Sequence, residues 1–450
     1  MCREIIQGLI PHFAKSYSLL LLLSLAVGAV STYLHIPSNQ PPLGILGLMY
    51  TDVVFGVFYP RFMNTSGRQS EFWYNTDVLK SLLEGRYVCP IPYLDYMFEY
   101  PPVIGLLWYF TTCFSLAVAF GGRTPESTYI HVLHRVAELH YTLSAVFLTL
   151  FLLSATYFAY KLGVALDSSF DLMKVAIWLI LPSTILYTVY NWDIICAALA
   201  LGSLVAFQKK RYLTSGVLLG LSIATKVLTV SIAYVIFISL LMKLRKNGEL
   251  YPIGSLLIGI LLSGLTPYIA LLLLAPRGFF DFIAHHSTWY CENCLYLILI
   301  HNIFDPLHRF LALASISVLL VVLTLIIAVK NAGSDVRVFR LSAVSILGVV
   351  LFNYVFTPQM ILLFSLLALI FFSRASRVAY IVSDVANFSI MLFFYNDEEL
   401  RYFFNRLGVP VETSFSPWTI DSPVQWFAAV RNILLLAILL NELVVISRNR

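Results

Sequence analysis

The sequence predicts an all-α polytopic membrane protein, and three observations support this fold class. Of the 450 residues, 59% are hydrophobic and only 12% are charged, and the mean hydropathy is +0.83. Soluble domains carry roughly twice that charged fraction, and no soluble fold of this length could bury so much apolar surface. The apolar residues form runs near the ~20 residues that cross a bilayer. Lys and Arg cluster between these runs, where they mark the cytoplasmic side.

Charge and cysteine content exclude other classes. The net charge of +5 is small for this length, so no nucleic-acid partner is predicted. Six cysteines are too few for a disulfide scaffold. Cys113 and Cys196 lie in or beside apolar runs and are interpreted as small hydrophobic residues. Cys89, Cys291 and Cys294 lie in predicted outer loops, which leaves a disulfide among them open. Zinc would need two further ligands, so we predict no metal site and no cofactor.

The first half of the chain can be traced from its basic clusters. Residues 16–34 are too long for a signal-peptide core and form the first transmembrane helix. This helix delivers the loop 35–101 to the outer side, where the apolar run 43–62 lies along the membrane interface. Three apolar runs follow, at residues 103–121, 136–160 and 175–190. The loop 35–101 before these runs and residues 191–193 after them are both predicted to be outside. Because three crossings cannot join two points on one side, we expect residues 103–121 to be re-entrant or shallow.

The second half is assigned in the same way. Further helices are predicted at residues 194–207, 252–274, 307–329, 344–356, 360–372, 380–395 and 424–446. Residues 212–242 lie between two basic clusters and must cross twice, so their outer turn falls near Lys226 and leaves two helices of about 15 residues. The total is about twelve spans with both termini cytoplasmic.

The domain organisation follows from this trace. The chain is predicted to be a single membrane domain over residues 1–450, divided into the first extracytoplasmic loop (35–101), a transmembrane module (102–243), a second large outer loop (276–306) and C-terminal helices (307–450). The Asn64, Thr65, Ser66 sequon in the first loop would be available for glycosylation.

Charged side chains at membrane depth are costly and mark functional sites, and here they gather on the predicted outer side. Asp52 is the lone acid of the run 43–62, although a helix cap or a solvated loop residue would explain it too. Lys226 lies too deep in an apolar stretch to be a topology marker. A buried cation that binds an anion such as phosphate is therefore the favoured interpretation of Lys226.

Other polar side chains fall at the same level. They are Glu99, Tyr100, Asn191, Trp192, Asp193 and Gln359. Carboxylates, amides and an indole suit the hydroxyls and the face of a sugar, so these residues are predicted to bind sugar or acceptor. Helix starts and helix capping are the plain alternatives for Glu99 and Asp193.

The loop 276–306 adds three predicted site residues. The paired histidines of this loop lack carboxylates at metal spacing, which favours phosphate contact over metal binding. His286 and His301 are accordingly predicted to contact a phosphate. Glu292 is predicted to bind sugar or acceptor.

These groups suit the transfer of a sugar from a lipid phosphate. One carboxylate would act as a general base on an acceptor hydroxyl, and cations would stabilise the departing phosphate. Inversion at the anomeric carbon needs one base and no covalent intermediate.

Four motifs in order resemble the GT-C membrane glycosyltransferases. They are YTDVVF around Asp52, GRYVCPIPYLDYMFEYPPVIG at 85–105, NWDIICAALALGSLVAFQKKRYLTSGVLLGLSIATKVLTV at 191–230, and VFTPQM at 355–360. The sequence looks most like the polyprenyl-phosphate-mannose-dependent mannosyltransferases of glycosyltransferase family 87. It is more distantly similar to the enzyme that adds the first mannose to glycosylphosphatidylinositol. The motifs span residues 50–360, so the resemblance covers most of the chain.

The resemblance implies a function and a site. It implies a GT-C-like module at 102–243, Asp52 as the catalytic base, and no metal. The donor would be a polyprenyl- or dolichyl-phosphate hexose, most often mannose, and the acceptor a glycolipid or lipid-linked glycan. Two positions depart from the family pattern, since Thr229 replaces an expected Pro and Tyr354 lies near an expected Lys. The second departure places more of the phosphate contact on Lys226 or His286.

Two other classes were weighed. A secondary transporter of a small polar or anionic solute would show internal duplication and broken midplane helices, and neither is visible. A non-catalytic scaffold has no evident need for Asp52, Asp193 and Lys226 on one face. We therefore expect an enzyme surrounded by the lipids of a plasma membrane or an ER-like membrane, with its active site on the extracytoplasmic side.

Overall fold

The computed structural model describes residues 2–37, 46–63, 69–120, 129–166, 170–330 and 335–448, and within these ranges the ordered backbone is helical. The helices of the first half are α1 (Cys2–Leu34), α2 (Leu46–Met49), α3 (Tyr59–Phe62), α4 (Gln69–Phe72), α5 (Thr76–Leu83), α6 (Pro102–Phe120), α7 (Tyr129–Leu166), α8 (Met173–Ile180), α9 (Pro182–Tyr187), α10 (Asp193–Gln208) and α11 (Tyr212–Thr225). Those of the second half are α12 (Val230–Asn247), α13 (Tyr251–Ile260), α14 (Thr266–Leu274), α15 (Pro276–Thr288), α16 (Leu307–Lys330), α17 (Asp335–Phe352), α18 (Leu362–Phe371), α19 (Arg374–Phe394), α20 (Asp397–Arg406) and α21 (Pro423–Arg448). The predicted sequon at Asn64 lies outside the described residues.

Short segments of other helical types complete the backbone. Two π-helical segments span Asp52–Phe58 and Leu261–Leu265, and three 3-10 turns span Val227–Thr229, Leu295–Ile298 and Pro358–Ile361. The first π-helical segment begins at the predicted base, and the turns Val227–Thr229 and Pro358–Ile361 follow Lys226 and Thr357. Helix ends and irregular turns therefore coincide with the predicted site, where π-helical turns are also common.

The protein is an integral membrane protein. Within the described ranges, eight helical stretches are long and apolar enough to cross a membrane: Tyr17–Leu34, Pro102–Phe120, Val132–Leu166, Val227–Lys246, Tyr251–Leu274, Leu307–Val329, Arg374–Phe394 and Pro423–Arg448. Three shorter apolar helices, Asp193–Gln208, Tyr212–Thr225 and Pro358–Phe371, accompany them. The all-α membrane class is confirmed, whereas the total of about twelve spans stays a prediction.

The irregular apolar run differs from the one that the sequence analysis selected. Residues 103–120 of the run 103–121 lie in the continuous helix α6, which is 19 residues long. The run 175–190 is divided instead, because α8 ends at Ile180 and α9 begins at Pro182. Proline has no N–H to donate and disfavours a helical residue before it, and Leu181 is accordingly extended, with φ −61° and ψ 138°.

Small residues pack the short helix α11 tightly against its neighbour. A Cβ on Gly216 would lie 2.2 Å from the carbonyl oxygen of Leu256 in α13, and a Cβ on Gly259 would lie 2.6 Å from the carbonyl oxygen of Leu213. Helices in lipid associate closely through such glycines. At 14 residues α11 has nearly the predicted length, and its end places Lys226 at the turn that the sequence analysis expected.

Two disulfides connect the chain, and one corrects an interpretation made from sequence. Cys291 pairs with Cys294, one of the pairings that the sequence analysis left open. Cys89 pairs with Cys113, which had been interpreted as a small hydrophobic residue of an apolar run. Cys113 lies on α6 while Cys89 lies in the loop before it, so this bond ties the loop 84–101 to a membrane-length helix.

Candidate functional site

One cavity of about 680 Å³ brings nearly all the predicted site residues together. Those that line it are Asp52, Glu99, Tyr100, Asn191, Trp192, Asp193, Lys226, His286, Glu292 and Gln359. His301 is the exception: it is exposed and does not line the cavity, although it belongs to the same loop as His286 and Glu292. The residues come from at least five separate segments of the chain. Their convergence is the main geometric finding at this site.

The backbone of Asp52 is fixed by the turn that precedes α10. Its N–H donates to the carbonyl oxygen of Tyr190 at 3.0 Å. The hydroxyl of Thr51 donates to the same oxygen at 2.9 Å and accepts from the N–H of Val53 at 3.2 Å. Thr51 thus caps the π-helical segment and joins it to residue 190. The π-helical segment and the α9–α10 turn consequently present Asp52 and Asn191 side by side.

The carboxylate of Asp52 receives three neutral donors on one oxygen. The amide of Asn191 donates to Oδ2 at 2.6 Å, while the hydroxyl of Tyr100 and the amide of Gln359 lie at 3.3 Å. No cation lies within salt-bridge distance of Asp52 among the described residues. Burial and repulsion from Glu292 raise the pKa of Asp52 to about 7, against the lowering effect of its hydrogen bonds. Such a carboxylate exchanges protons near neutral pH, as a general base requires.

Gly56 leaves room for that carboxylate. A Cβ at this position would lie 3.0 Å from Oδ1 of Asp52 and 3.0 Å from the hydroxyl of Tyr50. Gly56 is one helical turn from Asp52 and also lines the cavity. A larger residue at this position would therefore crowd the second carboxylate oxygen.

Lys226 is paired with Asp193 across the ends of two helices. Its Nζ donates to Oδ1 of Asp193 at 2.6 Å, and its side chain keeps 21% of its surface exposed against 2% for Asp193. Lys226 follows the last residue of α11, and Asp193 begins α10, where a carboxylate interacts favourably with the helix dipole. The ammonium is thus held at the cavity wall with spare donors.

Three buried polar atoms that line the cavity have no partner among the described residues. They are Oδ2 of Asp193, Oγ1 of Thr357 and Oε1 of Gln359. Buried polar groups are nearly always hydrogen-bonded, so each such atom calls for an explanation. Two of the three are pure acceptors, which favours a ligand that brings hydroxyl donors.

Glu99 and His286 have partners that the sequence analysis did not predict. The carboxylate of Glu99 forms an ion pair with Arg61, which is 5% exposed. Nε2 of His286 donates to the carbonyl oxygen of Glu99 at 2.8 Å. Desolvation, followed by repulsion from His285, lowers the pKa of His286 to about 4. Burial thus disfavours the charged form of His286 in this arrangement.

Glu292 is the second carboxylate at the cavity. The indole N–H of Trp289 donates to its Oε2 at 2.9 Å. Burial raises the pKa of Glu292, and the hydrogen bond from Trp289 and the charges of Lys226 and Arg431 oppose that shift. Glu292 in turn contributes to the raised pKa of Asp52, although the two residues lie 240 positions apart in the sequence.

A polar cluster behind the cavity wall was missed from sequence. Arg431 of α21 is fully buried and donates to the carbonyl oxygens of Asn293 (2.8 Å) and Phe356 (3.2 Å). It also donates to the side-chain oxygens of Asn387 (2.9 Å) and Asn432 (3.0 Å). Arg431 interrupts a membrane-length apolar run in the sequence. Because a charge inside such a run is costly, this position could have been identified without a structure.

The aromatic part of the lining was also missed. Tyr395 follows α19 and Trp418 lies in the loop before α21, and both face the cavity. Aromatic residues are frequent at both membrane interfaces, so composition alone could not separate these from the others.

Among the described residues, one group of side chains beside the cavity has ligand atoms for a metal. Single atoms of Cys291, Cys294 and His308 lie within 4.8 Å of one another. Both sulfurs are joined in a disulfide, whereas zinc binds thiolates and takes four ligands. The residues as arranged here therefore do not fit zinc.

Comparison of the chain with protein-family models, with curated proteins and with solved structures found no match. The functional argument thus depends on the cavity.

Proposed function

We propose that the protein is an inverting glycosyltransferase that moves a hexose from a polyprenyl- or dolichyl-phosphate donor to a hydroxyl of a lipid-linked or glycan acceptor. In keeping with the family resemblance, mannose is the proposed hexose. The observation that carries this proposal is the environment of Asp52. A carboxylate with a pKa of about 7 and neutral donors on one oxygen faces a cavity that also contains a lysine. This combination suits a general base beside an anion site.

The reaction assigns a bond change to each group. Asp52 accepts the proton of the acceptor hydroxyl as that oxygen forms a bond to the anomeric carbon. The bond from the anomeric carbon to the phosphate oxygen breaks, and its electron pair leaves with the lipid phosphate. Attack and departure occur on opposite faces, so the configuration inverts without a covalent enzyme intermediate.

Lys226 is the residue proposed to receive the donor phosphate. Its ammonium pairs with Asp193, yet it retains further N–H donors and 21% of its side-chain surface exposed. A phosphate would add charge-assisted hydrogen bonds there and would stabilise the leaving group. His286, whose pKa is lowered to about 4 by burial, is proposed to contribute a hydrogen bond, with the charge supplied by Lys226.

The unpartnered acceptors support a sugar as the transferred group. Oδ2 of Asp193 and Oε1 of Gln359 lie in the same cavity as Asp52. Hexose hydroxyls are donors of suitable size and number for these oxygens. Glu99 is proposed to act indirectly, since its carboxylate is already bound to Arg61.

The proposal includes a GT-C-like architecture of about twelve spans with the cavity on the extracytoplasmic side. Two exposed glutamates test the orientation, since Glu412 lies between α20 and α21 and Glu249 lies beside the basic end of α12. A single cysteine at position 412 should react with an impermeant thiol reagent in intact cells, and one at 249 should not. The reverse pattern would place the cavity on the cytoplasmic side.

Release of the lipid phosphate tests the function itself. Purified protein is incubated with polyprenyl-phosphate mannose, or with the glucose analogue, together with a crude lipid extract as acceptor. Acceptor-dependent release of polyprenyl phosphate, with a glycosylated lipid as product, is the expected result. A folded protein that releases no polyprenyl phosphate from either donor would contradict the proposal and favour a transporter.

A further inference from the structure

The loop from Cys291 to Cys294 is a small disulfide ring whose tip faces the cavity. Both cysteines are 2% exposed and pack with Tyr296, Leu297 and Ala312. The bond joins residues three positions apart, so it closes only a short loop. Disulfides of this kind restrict the unfolded chain little, because loop-closure entropy grows with loop length. Local geometry is therefore a better explanation of this disulfide than overall stability.

The backbone of Glu292, inside that ring, is paired on both sides with the segment before Thr357. Its N–H donates to the carbonyl oxygen of Tyr354 at 3.1 Å, and its carbonyl oxygen accepts from the N–H of Phe356 at 2.9 Å. These two bonds form a short bridge between the second outer loop and the segment that carries Gln359. The segments that carry Glu292 and Gln359 are thereby fixed relative to one another.

Asn293, the other residue at the tip, has a left-handed backbone with φ of 52°. Its carbonyl oxygen accepts from Arg431 at 2.8 Å and from Asn432 at 3.0 Å, and its side-chain oxygen accepts from Gln425 at 2.8 Å. Residues other than glycine, asparagine and aspartate rarely adopt this conformation. The ring is thus fixed from behind by α21 while Glu292 points into the cavity.

We propose that the Cys291–Cys294 disulfide is a positioning element that fixes the carboxylate of Glu292 in the cavity as a contact for a substrate hydroxyl. The inference rests on the proposed glycosyl transfer and adds to it a second substrate-binding carboxylate with its own support. Cys89–Cys113 serves as the internal comparison, because its sequence separation is 24 and no residue next to either cysteine lines the cavity, whereas both residues between Cys291 and Cys294 do.

The test compares the two disulfides. The Cys291→Ser/Cys294→Ser variant should lose turnover at least tenfold with a small change in melting temperature. The Cys89→Ser/Cys113→Ser variant should retain turnover within twofold and show the larger drop in melting temperature. Glu292→Gln should lose turnover at least tenfold, and adding it to Cys291→Ser/Cys294→Ser should cause no further loss. The proposal would be overturned if the losses of turnover from Glu292→Gln and from Cys291→Ser/Cys294→Ser multiplied in the combined variant. Full turnover without the Cys291–Cys294 bond would overturn it too.

A second pair of variants serves if the serine pair does not fold. Asn293→Ala and Asn293→Gly both remove the acceptor for Gln425, but only glycine tolerates the left-handed backbone at no cost. Turnover should therefore be at least fivefold higher in Asn293→Gly than in Asn293→Ala. Equal turnover in the two variants would count against a positioned Glu292.

Hydrogen exchange separates this inference from the proposed function. Loss of the Cys291–Cys294 bond should speed exchange of the Glu292 amide, and loss of Cys89–Cys113 should not. If the variants show this exchange pattern but the wild-type protein has no transferase activity, glycosyl transfer is refuted and the positioning role is retained. Unchanged exchange in an active enzyme would refute the positioning role alone.

Discussion

The cavity surface around Asp52, Lys226 and Gln359 differs from the polar cluster around Arg431 in how completely its polar atoms are hydrogen-bonded within the protein. Arg431 donates to four oxygens and stacks on Phe356 with its guanidinium carbon 3.6 Å from the ring centre. Lys226 has one carboxylate partner, and Gln359 leaves an acceptor without any partner among the described residues. Satisfied buried networks make a structure rigid, and unsatisfied groups at a cavity favour a ligand.

Arg431 should be the residue whose loss costs most stability. Arg431→Ala leaves the oxygens of Phe356, Asn387 and Asn432 without the donor that Arg431 supplies, at a cost of about 3 kcal/mol or more. Arg431→Lys keeps the charge but loses the planar fork, so its destabilisation should be intermediate. Thermal unfolding in detergent measures both. An Arg431→Ala protein as stable as wild type would show that the cluster is not structural.

Lys226 should behave in the opposite way. Lys226→Gln keeps a donor for Asp193 and removes the charge, so the fold should survive. Donor affinity should fall about 10- to 100-fold, because a hydrogen bond from a charged group contributes roughly 1.5–3 kcal/mol. Binding of polyprenyl-phosphate mannose checks this, with polyprenol as a ligand whose binding should not change. Unchanged affinity for the phosphate donor would remove Lys226 from the phosphate site.

The pH dependence of turnover should follow Asp52. A general base acts in its ionised form, whose fraction rises with pH through the pKa of about 7. kcat/KM should therefore fall about tenfold per unit below pH 7 and level off above it. His285 and His286, whose pKa values lie at about 4, do not titrate in that range. A flat profile between pH 5 and 8, roughly the range in which Asp52 titrates, would contradict the role of Asp52.

Gly56 should have the smallest effect. The Cβ of Gly56→Ala would crowd Oδ1 of Asp52 at 3.0 Å, which should lower turnover by a factor of about 3 to 10 through a shifted carboxylate. Gly254→Ala is the matched control, because a Cβ there meets no atom within 4 Å. Equal turnover in both variants would mean that the position of Oδ1 is not critical.

Charged residues inside apolar runs could be identified from the sequence alone. Asp52 and Lys226 interrupt apolar runs, and the cost of burying charge marks such residues without any structure. Arg431 and the break at Pro182 carried equally clear signals that were not used in the sequence analysis. Hydropathy located most long helices because bilayer thickness sets the length of a span, but it did not give their ends: α7 covers 129–166 against the predicted 136–160, and α17 covers 335–352 against the predicted 344–356.

Pairings between distant segments could not be predicted. Arg61 joins Glu99 across 38 residues, and Cys89 joins Cys113 rather than a cysteine of the other outer loop. Spacing along the chain does not determine which loop side chains meet. The same limit applies to His301, which shares a loop with Glu292 but lies outside the cavity.

The most direct test of the central claim compares Asp52→Asn with wild type in donor binding and in release of polyprenyl phosphate. The amide keeps the size of the carboxylate but cannot accept the acceptor proton. The account predicts unchanged donor affinity and a loss of turnover of about 100-fold or more. Turnover at the wild-type rate in a folded Asp52→Asn protein would contradict it.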